Sequence, residues 1–126
     1  MVQVETSQLT AECEAWRQTL RQYREEFTQD KTKLQLAASH SLSKDQLQEV
    51  EHLHNQFHIQ LINIHDLKQA IKNHDRKIGY EMREQKALNE ETVADHETLF
   101  NQYQMQENTL QELREEFNNF LKRTTS

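Results

Sequence analysis

Apolar residues recur along this chain in steps of four and three. The first run is Leu9, Cys13, Trp16, Leu20, Tyr23, Phe27, Asp30 and Leu34, a heptad in which Asp30 is the one charged member. Gln, Glu, Lys and Arg fill the positions between, and these are good helix formers. The pattern predicts a helix over about residues 4–38. A second run passes through Leu47, Val50, His54, Phe57, Leu61, Ile64, Lys68, Ile71, Asp75, Ile78 and Met82. Leu53, Ile59, Ile62 and Leu67 add apolar residues beside it. A face that wide needs more than one neighbour, so this helix is expected to be the central one.

The boundaries carry their own signals. Ser43 is followed three residues later by Gln46, the pattern of a capping box, with Leu42 and Leu47 placed as a hydrophobic staple. Asp45 adds a negative charge to the first turn, where the helix dipole favours it. Ser39, His40 and Ser41 make a short polar turn before it. Gly79 is the expected stop, preceded by Lys72, Arg76 and Lys77. Together these predict a second helix over about 44–78.

The third helix is expected over about 89–123. Asn89 suits the N-cap, Glu90 and Glu91 the first turn, and Leu88 with Val93 a staple. Its seam reads Thr92, His96, Leu99, Tyr103, Gln106, Leu110, Leu113, Phe117 and Phe120. The heptad phase also runs on from Met82 through Gln85 and Asn89, so one continuous helix from 44 to 123 is the alternative. The break gives three helices of about 35, 35 and 34 residues, each about 50 Å long, and matched lengths suit an antiparallel bundle. The expectation is a single all-α domain over 1–126, an antiparallel bundle of three long helices. Its core would hold Trp16, Leu20, Phe27, Phe57, Ile64, Ile71, Phe100 and Phe117.

Composition narrows the classes further. With one Gly and no Pro in 126 residues, the tight turns of a β-protein and the crossovers of an α/β fold lack their usual residues. Hydrophobics are only 34% against 29% charged, which fits narrow helix seams and leaves little room for a concave pocket. An enzyme is therefore not expected. The net charge of −6 argues against nucleic acid. Residues 84–126 hold nine acidic and four basic groups, whereas residues 44–83 are balanced. The segment from Phe57 to Ile71 is too often interrupted by polar residues to span a membrane. A single cysteine, Cys13, fits a reducing, cytoplasmic setting.

Seven histidines raise the question of a metal. His54, His58 and His65 share one side of a helical wheel, and Glu51 with His54 forms a Glu-x-x-His. A di-iron bundle needs two such motifs and two more carboxylates, and His74 and His96 have no partners at ligand spacing. The histidines are read as flanks of an apolar stripe, and no metal, catalytic residue or cofactor is expected. Cys13 is read as a small buried hydrophobe. Lys68, Lys72, Arg76 and Lys77 form a basic end, read as a solvated face, with a docking patch for an acidic partner as the alternative. Asp30, Lys68 and Asp75 place charge in the seams, where it fixes pairing at a cost in stability; they are read as solvent-facing ends, with partners from a second chain as the alternative. Ile59 and Ile62 point away from the Val50–Ile64–Ile71 stripe and are the candidate core of an antiparallel two-fold dimer.

Glu14-Ala15-Trp16, within a first long helix, resembles the spectrin repeat, a left-handed antiparallel three-helix bundle with a Trp centred in its first helix. Thr92-Val93 and Phe100 match the opening of the third helix in the α-actinin branch, with Phe in place of Trp. Glu112 to Phe120 resembles the helix that enters the first EF-hand after an α-actinin rod, but Leu121 stands where the first calcium ligand would be, so no calcium site carries over. The resemblance implies a rod and dimerisation module of an actin-crosslinking cytoskeletal protein. The chain would then be a fragment of a longer one, with actin bound only through flanking domains. A free-standing coiled-coil adaptor that binds a partner helix is the alternative.

Overall fold

The computed structural model describes residues 6–124. It contains α1 (Thr6–Ala38), α2 (Lys44–Glu84) and α3 (Glu90–Thr124), of 33, 41 and 35 residues. The chain runs up, down and up through an antiparallel three-helix bundle, with α2 packed against both neighbours. Val4 and Glu5, the expected first residues of α1, lie outside the described residues. No helix among the described residues is long and apolar enough to cross a membrane.

The seam expected in α1 is its buried face, residue for residue, including Asp30. The start of α2 has the expected chemistry. Ser43 Oγ accepts from the Gln46 N–H, and Gln46 Oε1 accepts from the Ser43 N–H. Two helix-end donors are thereby satisfied by one reciprocal pair. Ser43→Ala should cost about 1 kcal/mol of stability. Ser41→Ala, in the turn before, should cost much less. Thermal melts of the two variants distinguish the cap from the turn, and equal losses would place the helix start elsewhere.

The expected stop at Gly79 is not where α2 ends. The helix continues for more than a turn to Glu84, and a Cβ built at Gly79 would meet nothing within 4 Å. Glycine there faces open space and imposes no break. The chain leaves the helix at Gln85, whose N–H donates to the Glu81 carbonyl, and Lys86 takes the left-handed conformation with φ 58°. A lysine carries no sequence signal for that conformation, which glycine usually supplies. The break over 85–89 excludes the single continuous helix.

The buried face of α2 also differs from the expected seam. Phe57, Ile64, Ile71 and Ile78 are buried as expected. Their seam partners are Leu53, Gln60, His74 and Glu81, one residue earlier than the expected His54, Leu61, Asp75 and Met82. His54 is exposed, and Leu47 is 48% exposed. The reason is that α2 serves two neighbours. Gln60 and His74 meet α3 through Gln106 and His96, while Asp75 reaches Arg17 on α1 at 3.5 Å. Leu61, Lys68, Asp75 and Met82 are half-buried on that second flank.

Aromatic rings link the three helices in the half of the bundle nearer the α1–α2 turn. Phe27 lies 5.3 Å from Phe57, and Phe57 lies 5.2 Å from Phe117 edge-on. Trp16, Leu20, Phe27, Phe57, Ile64, Ile71 and Phe117 are all buried. Phe100 is a correction. It is 37% exposed and lies on the rim, where its ring stacks on Trp16 at 5.9 Å. Parallel helices α1 and α3 are tied at the edge by Arg114, which forks onto Glu26 at 2.7 and 2.8 Å and covers the Tyr23 ring.

Candidate functional site

The end of the bundle built from the start of α1, the end of α2 and the start of α3 concentrates the chain's buried polar chemistry. Its lowest layer is a cap. The Glu81 carboxylate accepts from the Asn89 N–H at 2.9 Å and from the Thr92 hydroxyl at 2.6 Å. These hydrogen bonds, the Thr92 hydroxyl first, hold its pKa below the usual carboxylate range. Thr92 and Val93 donate their N–H groups to the Asn89 carbonyl. The expected N-cap position is thus right, but a carboxylate reaching across from α2 braces it.

One to two turns further into the bundle lie Cys13, His74 and His96, all buried. The Cys13 sulfur and one ring nitrogen from each histidine lie within 4.8 Å of one another. His74 Nε2 and His96 Nδ1 face each other at 3.0 Å, so one of them carries the proton of a hydrogen bond. His96 Nε2 on the other side of its ring is buried with no hydrogen-bond partner among the described residues. The nearest carboxylate to it is Glu12 Oε2, at 3.7 Å. The Trp16 ring covers His96 at 4.9 Å. Burial, reinforced by Asp75, pushes the Cys13 thiol up to about 11. Burial, and then His96 itself, lowers the pKa of His74. A groove of about 350 Å³ between α2 and α3 opens beside this cluster. Its walls include His74, Lys77, Asp95 and Leu99.

Sequence reasoning gave His74 and His96 no partner because it sought ligands at helical spacing on one strand of chain. The partners come from three different helices. A signal was present: Cys13 and His96 both stand on their predicted seams, towards the end that an antiparallel bundle shares. The other histidines at ligand spacing, His54, His58 and His65, are all exposed on α2.

A second feature is the outer face of α2. Ile59 and Ile62 are 45% and 48% exposed. Tyr80, 55% exposed, follows Ile62 by five full turns and stands on the same line of the helix, about 27 Å away. Lys68 is half-buried between helices, with Arg17, Arg21 and Arg24 of α1 nearby; burial and then these arginines lower its pKa. The alternative in which seam charges find partners in a second chain is corrected for two of them. Asp75 pairs with Arg17 and Asp30 with Lys33, at 3.5 and 3.9 Å, within this chain.

No protein-family model matches the chain, and neither a curated protein nor a solved structure matches it.

Proposed function

We propose that this chain is a structural helical module that works by pairing with a second copy of itself. The observation that carries this reading is the exposed Ile59–Ile62 pair at the middle of α2, the longest helix. Burying apolar surface of that kind favours association. Charge supports an antiparallel arrangement. Residues 44–63 of α2 carry three acidic groups and one basic, and residues 64–84 carry five basic and four acidic, the basic ones led by Lys68, Lys72, Arg76 and Lys77. A two-fold axis near Ile59 and Ile62 sets the acidic half of one α2 against the basic half of the other. The finer reading is a rod that spaces the actin-binding domains of a cytoskeletal crosslinker. The spectrin-repeat resemblance around Trp16 is its support.

Light scattering and sedimentation across micromolar concentrations test the pairing. The expected species has twice the 15.2 kDa of one chain, and it weakens as salt screens the charges. Ile59→Glu with Ile62→Glu should give a monomer of unchanged helical content. A wild-type chain that stays at 15.2 kDa would overturn the proposal. A double variant that stays dimeric would overturn this interface.

A further inference from the structure

We infer that Cys13, His74 and His96 form a binding site for a borderline-soft divalent transition-metal ion of the zinc class. One sulfur and two imidazole nitrogens are the donor set that zinc and its neighbours prefer. The three come from three helices and converge within 4.8 Å. Around a tetrahedral ion, with metal–nitrogen distances of about 2.0–2.1 Å and metal–sulfur of about 2.3 Å, the donors sit roughly 3.3–3.6 Å apart. His74 Nε2 and His96 Nδ1 at 3.0 Å need only open slightly, and the sulfur needs only close in.

The outer side of His96 supplies a second, independent observation. Its Nε2 is buried without a hydrogen-bond partner among the described residues, and the Glu12 carboxylate stands 3.7 Å away. A histidine that binds metal through one nitrogen commonly directs the other N–H at a carboxylate, which sets the tautomer and makes the ligand more basic. With the Nε2 proton held towards Glu12, the Nδ1 lone pair is free to face the ion. In that tautomer, and without an ion, His96 Nδ1 accepts the hydrogen bond from His74 Nε2–H. Binding replaces that bond. The His74 proton moves to its Nδ1 so that Nε2 can coordinate, and the Cys13 thiol gives its proton to solvent. The balance is one proton released for each ion bound. Three protein ligands leave the fourth position to water, and His74 itself lines the groove between α2 and α3.

Titration of the full, reduced, chelator-treated chain with cobalt(II) chloride tests the site. At one equivalent the expected spectrum has the ligand-field bands of a tetrahedral ion and a thiolate-to-cobalt charge-transfer band. Zinc chloride should abolish both, release one proton and raise the melting temperature. Cys13→Ser should remove the charge-transfer band, and His74→Gln should weaken binding at least tenfold. Should either variant fail to fold by circular dichroism, the other decides. Glu12→Gln should weaken binding by about 10–100-fold. His58→Gln, on the exposed face, should change nothing. The inference is overturned if wild type shows no charge-transfer band at a tenfold excess of cobalt. It is equally overturned if the spectrum survives Cys13→Ser, or disappears in His58→Gln.

Discussion

Replacing Trp16 by alanine should lower the stability of the bundle by about 3–5 kcal/mol, more than any other substitution considered. Trp16 is 6% exposed and meets α3 through three rings, with centroids of His96, Phe100 and Tyr103 at 4.9, 5.9 and 5.7 Å. Alanine removes the central ring of that group and leaves a cavity between α1 and α3 that two straight helices cannot close. A domain of this size has about 5–15 kcal/mol of stability in total, so the loss should lower the melting temperature by more than ~10 °C. Phe100→Ala is the control. Its ring lies against Trp16 but is 37% exposed, and its loss should be much the smaller. A melt of Trp16→Ala within two or three degrees of wild type would show that the rings do not hold α1 to α3.

Asp30 should act in the opposite direction, as a residue whose removal stabilises. It lies on the α1 seam between Phe27 and Leu34, 7% exposed, and its one ion-pair contact among the described residues is Lys33 at 3.9 Å. Burial first, and the neighbouring Glu26 second, push its carboxyl from 3.8 to about 6. The folded state therefore holds the Asp30 proton more tightly than the unfolded chain does. Stability from this group is fully present below about pH 4 and is lost as pH rises through about 6. At pH 7 the cost is of order 2–3 kcal/mol. Asp30→Asn should recover most of it at pH 7 and change little at pH 4. Denaturant unfolding at the two pH values measures the difference. An equal effect at both would mean that the carboxylate is solvated in the fold and carries no burial cost.

The two α2 boundaries show how far a linear reading reaches. At Ser43 the cap is made between residues three apart, so every atom of it is local and the pattern is legible. At the other end, no residue near Gln85 or Lys86 announces a stop. The break there is braced by Glu81 binding Asn89 and Thr92 across the turn, a contact that exists only once α2 and α3 are side by side. Gly79 was a true signal of weak helix propensity, but the buried Ile78 and Glu81 on either side of it draw the chain on as helix.

The sequence by itself determined the class of fold, the three helices, the cap at Ser43 and the buried faces of α1 and α3. Those depend on helical period, on side chains within one turn and on a scarcity of turn residues, all properties of chain neighbours. Tertiary structure decided which flank of α2 meets which helix. Leu61 and Gln60 are adjacent candidates for one seam, and only the presence of α3 on one side and α1 on the other ranks them. The same placement decided the chemistry. Cys13, His74 and His96 are separated by tens of residues, and nothing in their local sequence relates them. They meet because antiparallel packing brings the start of α1, the end of α2 and the start of α3 to the same height. Phe100 is placed in the core by its match to the third helix of the α-actinin branch, and it stands beside the Leu99–Tyr103 seam, not on it. The curvature of three cylinders around a thin seam leaves it on the rim instead.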